Sequence, residues 1–152
     1  MVALVKRLAL GLARTILSLH YDVKVKNLEA VKGLKGGIVL PDHIALVDPP
    51  MLVTQLARHV LVRPVAYSGM YNKPLLKPLM QFIRTLPIES TWDGASDWKR
   101  FKIRRQLDTI RAAIAAGDTL LLYPSGQLRG GAAEALGGKS SAFGLVSQFP
   151  NQ

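Results

Sequence analysis

Short apolar runs bounded by glycine, proline or charge alternate along this chain with segments whose apolar residues recur at three- and four-residue steps. No other feature restricts the possible folds as much. Gly37–Pro41 and Asp118–Tyr123 read as buried strands, because a short, mainly apolar run bounded by punctuation fits a strand covered on both faces, and Val62–Tyr67 reads as another strand. Tyr21, Val23 and Val25 alternate with Asp22, Lys24 and Lys26, which predicts a half-exposed strand, and Leu86–Ile88 is a short extended piece. Helices are predicted over Val2–Leu19, from Asp48 to about His59, over Leu75–Arg84 and over Asp97–Ala116. In the last of these Ile103, Leu107, Ile110 and Ile114 form one stripe and Gly117 is the stop. Asp48-Pro49-Pro50 predicts Asp48 as the N-cap of its helix, with proline in the first turn. Pro124–Gly138 is glycine-rich, and Ser140–Ser147 is predicted as a short final helix. Strands alternating with helices imply an α/β layered domain: a mainly parallel sheet flanked by helices, preceded by an N-terminal amphipathic helix. The 152 residues are read as a single domain.

Charge narrows the partners. Twenty Lys and Arg face ten Asp and Glu, a formal charge of +10, so an anionic partner is expected. Absent cysteine excludes disulfides, thiolate metal sites and a cysteine nucleophile. No window supplies the ~18 to 20 uncharged apolar residues of a spanning helix. In residues 1–19, Lys6, Arg7, Gly11, Arg14 and Ser18 form a narrow polar strip on an otherwise apolar helix. That pattern suits an interfacial helix at the lipid headgroup level, with Lys6, Arg7 and Arg14 meeting anions, and it equally suits a first helix packed on the core. The run Lys99-Arg100-Phe101-Lys102-Ile103-Arg104-Arg105 places Lys99, Arg100 and Lys102 on a helix face able to meet lipid phosphates, or simply water. No nucleic-acid motif accompanies it.

Two constellations can carry chemistry. His43 and Asp48 lie five residues apart across a strand-to-helix turn. An aspartate there can fix the imidazole tautomer and stabilise the imidazolium formed when His43 takes a proton. The plainer alternative leaves Asp48 as a helix cap and His43 as a polar loop residue. The second is Tyr123-Pro124-Ser125-Gly126-Gln127-Leu128-Arg129-Gly130-Gly131, where glycines let backbone N–H groups approach an anion and Arg129 adds a two-pronged phosphate donor. It is neither a nucleotide-binding phosphate loop nor a nucleophile elbow, since Tyr123 and Gln127 stand where the elbow needs glycine.

Taken together and in order, these blocks resemble the glycerophospholipid acyltransferase family, which includes the 1-acylglycerol-3-phosphate acyltransferases. Asp42-His43-Ile44-Ala45-Leu46-Val47-Asp48-Pro49-Pro50 is similar to its first block, usually opening Asn-His; Lys73–Ser90 to its second; Leu121–Gly126 to its third, usually Phe-Pro-Glu-Gly-Thr-Arg. There are departures: Ser90 stands where the family commonly has a phosphate-contacting arginine, and Ser125 and Gln127 replace Glu and Thr. Tyr-Pro-Ser-Gly-Gln resembles acyltransferase modules found beside acyl-activating ligase domains, and the family domain continues past Gln152, so a missing C-terminal part is expected.

The resemblance implies an O-acyltransferase at the cytoplasmic face of a membrane, peripheral or monotopic. It would move a fatty acyl group from acyl-coenzyme A or acyl carrier protein to a lysophospholipid or glycerol-phosphate-type hydroxyl. His43 would be the general base and Asp48 its orienting partner, with Ser125, Gly126, Gln127, Arg129 and Arg84 binding substrate. No cofactor and no metal are implied, and no nucleic-acid partner. A lipid esterase or phospholipase using Ser125, His43 and Asp48, and an inactive basic fragment that binds membrane or nucleic acid, are the alternatives.

Overall fold

The computed structural model describes residues 2–89, 96–124 and 147. It is an α/β structure: α1 (Val2–Ser18), β1 (Ile38–Val39), α2 (Asp48–Leu56), β2 (Val62–Tyr67), α3 (Ser68–Tyr71), α4 (Lys77–Phe82), β3 (Leu86–Ile88), α5 (Asp97–Ala115) and β4 (Thr119–Leu121). The four strands form one parallel sheet in the order β1-β4-β2-β3. Leu120 pairs with Ile38 on one side and Arg63 on the other, and Val65 pairs with Leu86.

β4 explains why its apolar run is uninterrupted. Successive strand residues point to opposite faces, and both faces are covered. Leu120 and Leu122 pack with Ile110, Ala113 and Ile114 of α5. Leu121 joins Leu10 of α1 and Val53 and Leu56 of α2 on the other side. Ile110, Ile114, Leu120 and Leu121 are the largest fully buried side chains among the described residues. Each contributes about 1.5–3 kcal/mol by leaving water, so the sheet is held from its centre outward.

Helix ends follow local chemistry. Ser96 caps α5 by accepting from the Lys99 N–H at 3.3 Å. Gly117 ends that helix in the left-handed region, with φ +85°, while the Asp118 N–H reaches back to the Ala113 carbonyl at 3.0 Å. α4 ends the same way, with the Thr85 N–H on the Met80 carbonyl at 2.8 Å, but the left-handed residue is Arg84, φ +62°, where glycine is usual.

Three sequence expectations are corrected. Residues 21–27 form no strand: among the described residues no neighbouring strand supplies ladder partners there, and Tyr21 and Val25 stay exposed. The helix expected over Leu75–Arg84 is only Lys77–Phe82: Pro78 fits its first turn and the left-handed Arg84 closes it. Asp48 is not an N-cap; Val47 holds that position and Asp48 is the first helical residue. The expected glycine-rich loop and final helix lie outside the described residues apart from Pro124 and Ser147.

Candidate active site at the carboxyl edge of the sheet

β1 and β4 are neighbours, and the Leu122 N–H donates to the Val39 carbonyl at 3.0 Å. The chain therefore leaves both strands at the same edge, and two distant sequence blocks meet. His43 from the turn after β1 stacks on Tyr123 just beyond β4, ring centroids 4.3 Å apart and tilted by 32°.

Asp48 organises the turn. Its Oδ2 accepts from the Ile44 N–H at 2.7 Å and the Ala45 N–H at 2.6 Å, while its own N–H donates to the Ala45 carbonyl at 3.1 Å. A carboxylate in the first turn of a helix also meets the positive end of the helix dipole. The same Oδ2 lies 3.6 Å from His43 Nδ1, a buried nitrogen with no hydrogen-bond partner. That separation is longer than a hydrogen bond, and a pair of this kind commonly tightens only when substrate is bound. Both side chains are largely enclosed, 15% exposed for His43 and 25% for Asp48. Burial pushes the Tyr123 phenol well above its ordinary range, and the Asp48 charge adds to the rise, so Tyr123 is a neutral ring at physiological pH. Its hydroxyl is buried without a partner. Ile44 and Leu46 of the same turn are exposed apolar side chains.

The remaining sequence candidates fall elsewhere. Ser125, Gly126, Gln127 and Arg129 lie outside the described residues. Arg84 is not brought to His43: it precedes β3 at the opposite, amino edge and pairs with Asp118, Nη2 to Oδ2 at 3.4 Å. The basic residues of α1, which suited either lipid headgroups or a core-packed helix, make contacts with the domain, although Arg7 itself stays exposed. Arg7 Nη1 donates to the Ala57 and Arg58 carbonyls at 2.9 and 3.0 Å, where the end of α2 attracts a cation. Lys6 sits over the Phe82 ring, 5.8 Å from its centroid, and Arg14 Nε is buried without a partner. Lys102 is ion-paired with Glu89, whose carboxyl is held below its usual range by the Lys102 and then the Ser68 hydrogen bond. Lys99 and Arg100 lie at the start of α5, beside exposed Trp98 and Phe101. Cavities of about 270 and 290 Å³ lie away from His43, the first between α1 and α2, the second at the amino edge.

Sequence reasoning missed Tyr123 as the partner of His43. Tyr123 ends a predicted buried strand, which is a signal that it reaches a sheet edge, but strand order alone brings it to β1. The family model described as Acyltransferase matches residues 22–150, a span that includes His43, Asp48 and Tyr123. No curated protein and no solved structure matches the chain.

Proposed function

Because the chain belongs to the acyltransferase family, that of the glycerophospholipid and 1-acylglycerol-3-phosphate acyltransferases, we propose that it transfers a fatty acyl group at a membrane surface. The donor is a thioester of coenzyme A or acyl carrier protein. The acceptor is the hydroxyl of a lysophospholipid or glycerol-phosphate-type alcohol.

The observation that carries this reading is the His43–Asp48 geometry. Nδ1 is buried and faces a carboxylate that two backbone N–H groups already hold in place. Nε2 is then the nitrogen left to act as base. It takes the acceptor hydroxyl proton as the oxygen bonds to the thioester carbonyl carbon. The tetrahedral intermediate collapses, the carbon–sulfur bond breaks, and the departing sulfur takes the proton back from the imidazolium. Asp48 stabilises that imidazolium, and Tyr123 braces the ring. The reacting groups are the two substrates, so no protein nucleophile is needed.

Membrane contact rests on α1. Among the described residues no helix is long and apolar enough to cross a membrane. Yet Leu4, Val5, Leu8, Leu12, Ile16 and Leu19 are all more than half exposed, with Leu8 at 66% and Leu12 at 65%. An apolar helix face of this length fits a bilayer interface. The contacts of the basic residues with the domain make the apolar face, rather than the charged strip, the docking element.

The test is a two-part assay: thiol release from acyl-coenzyme A in the presence of lysophosphatidate, and detection of the diacyl product. Product that forms in wild type and vanishes in His43→Ala supports the reading; product retained in His43→Ala removes His43 from the mechanism. In vesicle flotation, Leu8→Glu with Leu12→Glu is expected to release the protein from lipid. Undiminished flotation would take α1 out of docking.

A further inference from the structure

The amino edge of the sheet holds a second charged centre that the acyl-transfer reading does not use. Arg63 Nη1 donates to Asp118 Oδ2 at 2.5 Å, and its Nε donates to the Arg84 carbonyl at 3.0 Å. Arg84 reaches the same carboxylate only loosely, at 3.4 and 3.5 Å, and its side chain is 55% exposed. Lys6 of α1 sits over the ring of Phe82, two residues before Arg84, and its ammonium is held below its ordinary range, first by burial and then by the Arg84 and Arg63 charges. Three cations thus face one carboxylate, and two positive charges stay uncompensated among the described residues.

Asp118 is also a wall of the cavity of about 290 Å³ at this edge, together with Arg7, Lys35 and His59. That volume sits at the lower end of the roughly 300–1,000 Å³ range of small-molecule sites, room enough for a small polar group. Backbone strain marks the same place. Arg84 holds φ +62°, a conformation that glycine adopts freely and that strains a residue bearing a side chain. A glycine would close α4 without that strain, so this position carries its guanidinium at a conformational cost.

From this juxtaposition we propose that the amino edge binds a phosphate group between Arg84, Lys6 and the cavity wall beside Asp118. A dianionic phosphate matches the two uncompensated charges. It gives Arg84 the bidentate partner that Asp118, already taken by Arg63, supplies poorly. The site lies at the opposite ends of the strands from His43, so it is a binding site separate from the reacting centre. The phosphate is either free in solution or carried on a lipid headgroup.

The experiment uses the full chain. Calorimetric titration with inorganic phosphate, and flotation with phosphatidate-containing against neutral phosphatidylcholine vesicles, separate the two sources. Saturable phosphate binding, or a phosphatidate preference, is expected in wild type, unchanged in His43→Ala and weakened at least tenfold in both Arg84→Gly and Lys6→Gln. Arg84→Gly also relieves the backbone strain, so its melting temperature should not fall; a lost anion response in a protein of equal or higher stability separates a ligand contact from a structural one. The proposal is overturned if neither probe binds. It is equally overturned if Arg84→Gly binds as wild type does, or if His43→Ala abolishes binding, which would put the anion at the other edge.

Discussion

The two ends of the same four strands are built on opposite electrostatic terms. At the carboxyl edge an imidazole, a neutral phenol and one carboxylate are packed together and largely enclosed. At the amino edge Arg63 and Asp118 are just as enclosed, but Arg84, which shares that carboxylate, is more than half exposed, and Lys6 lies nearby over Phe82. Parallel topology causes the difference. Every strand-to-helix connection delivers a helix N-terminus to the carboxyl edge, where the dipole and free N–H groups favour an anion such as Asp48. Every helix-to-strand connection delivers helix C-termini to the amino edge, where carbonyls favour cations, as Arg7 on Ala57 and Arg58 shows. One edge therefore suits a base with a fixed carboxylate, and the other suits the capture of an anion.

The largest effect that would separate the edges is on turnover. His43→Ala should reduce acyl transfer by a factor on the order of 10²–10⁴ while leaving the melting temperature and the amino-edge ion pairs intact. A parallel loss of stability would mean that His43 is a packing residue. Both edges should fail together when their shared support is removed. Ile114→Ala, a fully buried position between α5 and the sheet, should cost about 2–5 kcal/mol in chemical denaturation. Asp48→Ala strips the partner from the Ile44 and Ala45 N–H groups. The expected cost is about 1–3 kcal/mol of stability, together with lower turnover. Activity unaffected by that change would leave Asp48 as a turn-former alone.

The smallest effect is pH-dependent. Glu89, which follows β3 at the carboxyl edge, has a folded carboxyl pKa lowered chiefly by Lys102. A group with a depressed folded value binds fewer protons in the native state, so its contribution is present above the unfolded value of about 4.3 and is lost as pH falls through the folded value. Lys102→Gln should flatten the acid limb of the stability curve by lowering stability slightly at neutral pH while leaving it little changed at pH values below the folded pKa. An unaltered acid limb would show that the pair carries no linkage.

Much of this was legible from residues alone. The apolar runs located β2 and β3 and the centres of β1 and β4, since a run bounded by Gly, Pro or charge has few other uses. The α5 stripe and Gly117 stop stood out because period and cap agree. His43 and Asp48 were legible because five residues across a strand-to-helix turn cannot place them far apart. The residues 21–27 were misread because alternation describes a strand's faces without supplying its hydrogen-bonding neighbour.

What the sequence determined by itself is local: which segments coil, which extend, where Asp48 must sit relative to His43, and that no cysteine of this chain takes part. Tertiary structure alone decided that β4 lies beside β1, bringing Tyr123 onto His43, and that Arg84 falls at the far edge beside Asp118 and not with the histidine. It also set Arg7 of α1 on the carbonyls that end α2, buried Leu10 and left Leu4, Leu8 and Leu12 exposed. The physical reason is that strand order and helix rotation are settled by burial and charge summed over elements distant in the chain, and no short window of residues contains that sum.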